Sequence, residues 1–283
     1  MYKKSIRDNS KYLIPFIQGV KYYGNDRIEH NLGTMMLIND DGDILTCKHI
    51  ALEFINNIEL NKKYGEIIKE LDEAKNEKQI KKIEDKYKLN NNTVVLSNIN
   101  LPFKVDGKIQ IDIKVHKYLD LALIRFKGIQ IKSDIYPIFS ETLPEQGQSI
   151  CKLGFAFPEY DFFEYSHKDK NIVMKKDIVA NFPLFPLDGI VTRYIMDENK
   201  ELSMFEMSTP GIGGQSGGPI FSPDGVVYGI QSMTKYMKLS LNLVDSNNKI
   251  DINPYISLGV GISSSEIISF LKESNVKFYK SGE

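Results

Sequence analysis

The segment Gly211-Ile212-Gly213-Gly214-Gln215-Ser216-Gly217-Gly218-Pro219-Ile220 constrains this chain more than any other, because it sets one serine among glycines and then runs straight into an apolar strand. Glycines accept positive φ angles and let the backbone come close to a ligand, so their N–H groups can aim at an oxygen that gains charge. The spacing therefore predicts a nucleophile at Ser216. The backbone N–H groups of Gly214 and Ser216 would be the oxyanion donors, with Gly213 and Gln215 shaping the loop and Pro219, Ile220 and Phe221 anchoring it. A glycine-rich turn of no chemical purpose can carry the same letters, so the reading requires partners elsewhere in the chain.

Two partners lie upstream. Gly33-Thr34-Met35-Met36-Leu37-Ile38 and Asp43-Ile44-Leu45-Thr46 read as strands joined by an Asp-Gly turn at Asp41-Gly42, and His49 follows the second strand. Asp120 stands at the mouth of a short apolar run, Leu121-Ala122-Leu123-Ile124. Of the chain's four histidines, His30, His116 and His167 lack a preceding strand with suitable neighbours and read as surface residues. Asp112 and Asp134 lack the unbroken strand that follows Asp120. The resulting order, His49 then Asp120 then Ser216, is one of the few orders in which a triad is threaded along a chain.

These landmarks carry a family resemblance. Residues 33–49 resemble the "GTGFLI, turn, DGYILTNAHV" stretch of bacterial trypsin-like and HtrA-type serine peptidases, and residues 120–126 are similar to their "DLALL" strand. Residues 148–158, 189–192 and 225–233 are similar to three further strands of that family, so the resemblance covers roughly residues 15–270. It implies an all-β fold of two six-stranded antiparallel β-barrels of chymotrypsin-like type. The first barrel would span residues 1–135 and carry His49 and Asp120, the second 136–262 with Ser216, and a helix and tail would occupy 263–283. The resemblance further implies that His49 is the general base, that Asp120 orients it, and that Ser216 is acylated. Substrate-binding positions would fall on Pro210, Gly211, Gly213, Gln231, Ser232 and Met233, with Ser232 beside Asp120 at the start of an edge on which a peptide pairs. An ordinary strand serine is the plain alternative for Ser232. Without a carboxylate at Pro210, the expected P1 residue is small or apolar, with Met233 as a wall.

Departures from the family pattern are also informative. Gln215 stands where pancreatic-type enzymes carry an aspartate that pairs with a newly cut N-terminus, so activation by N-terminal trimming is not expected. Two segments have no counterpart. In residues 52–89, Ile67, Ile68, Leu71, Ala74, Ile80, Ile83 and Tyr87 recur at helical spacing, which predicts a helical insertion in the first barrel with a break near Asn76. It would be a solvated insertion or a docking arm for a regulatory protein. Residues 158–188 contain Tyr160, Phe162, Phe163, Tyr165, Phe182 and Phe185 and would form a satellite core or a lid, with Pro183 and Pro186 arguing against a long strand. Ser263-Ser264-Ser265-Glu266 opens a closing helix, after which no PDZ-like module is expected.

Composition narrows the function classes. A net charge of -1 removes the general electrostatic case for nucleic acid or an anionic membrane. At 42% hydrophobic residues the chain can bury two modest cores. Cys47 and Cys151 fall in different barrels and read as buried free thiols, and no secretory leader is expected from the first residues, so the reading is a cytoplasmic enzyme. No cofactor or metal is expected. The partners are a protein or peptide substrate. The alternative is a catalytically inactive peptide-binding or scaffold protein, or an acyl hydrolase of another kind on the same fold.

Overall fold

A computed structural model describes residues 1–103, 110–156, 162–175, 183–196, 202–238, 243–245, 248–250 and 255–282. Tyr160, Phe182 and Pro158 lie outside these residues. A short helix α1 (Lys3–Ser10) opens the chain. The first sheet then follows from runs of apolar residues broken at turns: β1 (Leu13–Tyr22), β2 (Ile28–Leu37), β3 (Asp43–Thr46), and, after two helices α2 (Lys48–Glu73) and α3 (Glu77–Tyr87), β4 (Val94–Asn100), β5 (Gln110–Val115) and β6 (Ala122–Lys127). Their order is β4-β1-β2-β3-β6-β5, with every pair antiparallel. The β2–β3 turn is held by Asn39, whose side-chain oxygen accepts the Asp41 and Asp43 amides while its Nδ2 donates to Asp43.

The second sheet contains β7 (Ile138–Phe139), β8 (Ser149–Phe155), then, past the hairpin β9 (Phe163–Ser166) and β10 (Asn171–Met174), β11 (Leu184–Met196), β12 (Leu202–Met207), β13 (Pro219–Phe221) and β14 (Val227–Lys238). A small pair β15 (Leu243–Asp245) and β16 (Asn248–Ile250) precedes β17 (Tyr255–Ser263), helix α4 (Ser264–Glu273) and β18 (Tyr279–Lys280). The order β13-β8-β11-β12-β17-β14 closes through β13–β14 pairing, which makes a six-stranded barrel, and β7 and β18 add to it in parallel. One apolar cluster runs through both sheets, joining Met35, Leu45 and Ile124 to Leu153, Phe221 and Ile262. The fold is thus mostly β with two barrel-type sheets, the chymotrypsin-like architecture.

Several local expectations change. Pro186 lies inside the 13-residue β11, opposite Leu153 of β8. β12 pairs with β11 only from Val191 onward, so Pro186 has a neighbouring strand on one side only, the edge-strand setting in which proline is tolerated. Residues 1–10 turn away from the first sheet: Tyr2 packs edge-on against Phe221, and Asn9 donates to the Gly225 carbonyl. The Ser263 hydroxyl meets Ser265 Oγ rather than capping α4. Asn76 does cap α3, accepting the Gln79 amide at 3.0 Å.

The helical insertion begins earlier than residue 52. Helix α2 already starts at Lys48, lies on β4 and β6, and buries Ile50, Phe54, Tyr64 and Ile67. The aromatics of the second extra segment form a satellite core rather than a lid, as far as they are described: Phe162, Phe163 and Ile172 pack with Ile17, Tyr64 and Val95. β1 is therefore apolar on both faces, with Phe16 in the main cluster and Ile17 in the satellite.

Candidate active site

Cys47 occupies the N-cap position of α2 but offers no side-chain cap. The missing acceptor comes from far away in sequence. Asp120, in the turn before β6, accepts the His49 amide at 3.0 Å through Oδ1 and the His49 ring Nδ1 at 2.8 Å through Oδ2. An anion at a helix N-terminus satisfies an orphan amide and meets the positive end of the helix dipole. Ser232 Oγ donates to the same Oδ2 at 2.8 Å. Burial alone would raise the Asp120 carboxyl, but the bonds from the His49 ring and amide and from Ser232 outweigh it and hold it below the usual range. The turn leading to Asp120 is fixed by His116, whose Nδ1 accepts the Leu119 amide at 2.9 Å. The His49 side chain remains 55% exposed, so its other ring nitrogen is open to a substrate.

The serine loop is built from the second barrel and clamped by the first. Gln215 N donates to Ile212 O at 2.9 Å, and Gly214 at the third position of that turn has φ +95°, the geometry of a type II turn. A Cβ at Gly214 would lie 1.9 Å from the Phe155 carbonyl oxygen, and one at Gly217 the same distance from that of Thr34. Thr34 holds the loop: its Oγ1 donates to Gly214 O at 2.7 Å and accepts from Phe155 N, while its amide donates to Ser216 O at 2.8 Å. Gln215 is fully buried, donating Nε2 to Phe185 O and accepting the Ile212 amide. Among the described residues no acceptor takes the N–H of Gly214 or of Ser216. Ser216 Oγ donates to Ser232 O at 3.3 Å, a long contact for a hydroxyl, and makes no hydrogen bond to His49.

Between α2 and the serine loop lies a cleft of about 500 Å3, bounded by His49, Ile50 and Glu53 on one side and by Ile212, Gly213 and Gly214 on the other. His30 lines it too. It is not a free surface residue, since its ring stacks on Phe163 at 5.5 Å and its Nε2 accepts the Phe162 amide. His116 is likewise half-buried, and burial lowers its pKa, whereas His167 is exposed and meets Asp26.

A model of the trypsin-like peptidase domain matches residues 33–230, most of the chain. The chain belongs to this family. No significant match is found among curated proteins.

In this trypsin-like peptidase domain the sequence-predicted residues take distinct places. His49 and Asp120 are bonded, Ser232 joins them, and Ser216 stands on the adjoining loop. Met233 is half exposed. Gly211 O accepts from Thr234 Oγ1, Gln231 Nε2 donates to Met233 O, and Pro210 O accepts from Lys152. Sequence reasoning missed Thr34, a polar residue inside an apolar strand, and Lys152, a lysine between the buried Cys151 and Leu153. In both, a polar side chain interrupting a buried run was the available signal. Cys47, His49 and Asp120 present ligand-type atoms within 4.8 Å of one another, a grouping seen in metal sites. Here burial, then the Asp120 charge, pushes the Cys47 thiol well up, so it stays protonated and donates to Gln231 O. That donor set does not suit a cation.

Proposed function

We propose that this domain is a serine endopeptidase that hydrolyses peptide bonds through an acyl-enzyme. In this reading Ser216 Oγ turns from Ser232 O toward the free nitrogen of His49, which takes its proton as Oγ attacks the scissile carbonyl carbon. The carbonyl π electrons move to oxygen, and the N–H groups of Gly214 and Ser216 receive the oxyanion. Collapse of the tetrahedral intermediate expels the amine, which leaves with the proton from His49. Water then repeats the sequence on the ester and releases Ser216. Asp120 holds the ring tautomer with its proton on Nδ1 and stabilises the imidazolium.

The observation that carries the reading is the pair of unclaimed amides at Gly214 and Ser216 beside a His49–Asp120 couple. The cleft between α2 and the serine loop offers room for the residues after the scissile bond. Gln215 supports a loop that forms without a cut N-terminus, because its side-chain amide makes the bonds that brace the turn. The buried free thiols Cys47 and Cys151 suit a reducing compartment, so the substrates would be intracellular proteins. Labelling with a fluorophosphonate tests the reading: the intact chain should be labelled and Ser216→Ala should not. A folded wild-type protein that resists the probe would instead be a peptide-binding protein without catalysis.

A further inference from the structure

A lysine is buried behind the serine loop. Lys152 of β8 is 1% exposed, and its Nζ donates to Thr209 O at 2.8 Å and Pro210 O at 2.5 Å. An ammonium has three N–H groups, so one remains unused. Among the described residues no carboxylate lies within 4.0 Å of it, so its buried positive charge has no counter-charge there. Burial lowers its pKa from 10.5 to about 8, so it is still mostly protonated at neutral pH. Buried charges are ordinarily paired, and an unpaired one is costly to keep.

The position of this charge relative to Ser216 is informative. Residues 209–214 lead into the nucleophile, and residues 231–234 of β14 run beside them, joined by the bond from Thr234 Oγ1 to Gly211 O. Ser216 Oγ rests on the carbonyl of Ser232, at the start of the second of these segments. Glycines bring the backbone close to both polar side chains: a Cβ on Gly211 would lie 2.4 Å from Gln231 Nε2, and one on Gly259 2.8 Å from Lys152 Nζ. Gln231 uses one Nε2 hydrogen on Met233 O, while its buried Oε1 has no partner. An apolar side chain entering here would leave the third Lys152 N–H and the second Gln231 N–H unmet.

We propose that the P1 side chain of the substrate enters between these two segments and that Lys152, helped by the second N–H of Gln231, selects an acidic residue there. The proposal rests on the peptidase reading above. A carboxylate fits better than a carboxamide because it supplies the missing negative charge, and better than a basic side chain because that would add a second positive charge. It replaces the small or apolar P1 residue that the serine-loop sequence alone suggested.

The test uses the full chain and a peptide set identical except at P1, with Glu, Asp, Gln, Asn, Ala, Leu and Lys, alongside fluorophosphonate labelling. Cleavage after Glu or Asp should exceed cleavage after the matching amide by tens- to a hundred-fold in kcat/KM, the range for one charged hydrogen bond. Lys152→Met should bring the acid-to-amide ratio to within a few-fold, and Lys152→Arg should restore part of it. A labelled enzyme that prefers Gln, Ala, Leu or Lys overturns the acidic P1 preference and leaves the peptidase reading intact. An unlabelled wild type overturns both.

Discussion

The buried lysine also makes a prediction about stability, independent of any substrate. A lysine carried from 10.5 to about 8 on folding costs roughly 3 kcal/mol while it is protonated, at about 1.4 kcal/mol per pKa unit. The sign follows from the direction of the shift. Below pH 8 the folded chain holds the charge at full cost, and the cost is withdrawn as pH rises from 8 toward 10.5. Between pH 7 and pH 9 about 1.3 kcal/mol of it is released. The two carbonyls that accept from the ammonium favour the charged form, so about 1 kcal/mol is the working figure. Lys152→Met removes the titration. It also deprives Pro210 O of its donor, a fixed loss of about 1–3 kcal/mol at every pH, while Thr209 O keeps the Gly259 amide. Urea denaturation of both proteins at pH 7 and pH 9 isolates the lysine, because the other titrating groups are common to both. The wild type should gain about 1 kcal/mol on Lys152→Met over that interval. A difference between the two proteins that stays constant within about 0.3 kcal/mol would refute the account of Lys152 as a strained buried cation.

Three further outcomes are expected. Ser216→Ala and His49→Ala should each abolish most peptide cleavage, and the double variant should be little worse than either, since groups that act as one unit are not additive. Thr34→Val keeps the shape of the side chain but takes the donor from Gly214 O and the acceptor from Phe155 N; kcat should fall about 10- to 100-fold with KM little changed, as for loss of an oxyanion donor, and Thr34→Ser should recover most of it. Gly217→Ala should lower stability by more than about 3 kcal/mol in thermal or urea unfolding, because its Cβ meets the Thr34 carbonyl and its φ is positive; a smaller loss would mean that the loop can shift.

What the sequence made legible is what local chemistry determines. The strand–turn–strand before His49, the apolar run after Asp120 and the glycines around Ser216 each declare themselves within a dozen residues. The bonds that join them do not. Thr34 and Gly214 are 180 residues apart, Thr34 and Phe155 are 121 apart, and no periodicity within β2 indicates that its threonine will brace a loop of the other barrel. Lys152 was visible as a break in a buried strand, but the two carbonyls it meets lie on a loop that the strand pattern cannot place. Pro186 was misread because the rule against proline in strands is local, whereas its tolerance depends on where β12 begins to pair. The start of α2 was misplaced for a similar reason, since its cap is the Asp120 carboxylate, 71 residues beyond His49.

The cap has a further consequence for how the site is organised. In most helices the N-terminal amides are met by the residue just before the helix, but here Cys47 makes no such bond and Asp120 takes over. One carboxylate therefore terminates a 26-residue helix, orients the His49 ring and receives the Ser232 hydroxyl of the second barrel. Thr34 does the reciprocal work, reaching from the first barrel to hold Gly214 and Ser216. Each barrel thus carries part of the candidate site and also a positioning group for the part carried by the other. The arrangement of the His49–Asp120 couple beside the Ser216 loop therefore depends on the docked pair, since Ser232 of the second barrel bonds Asp120 and Thr34 of the first holds the serine loop.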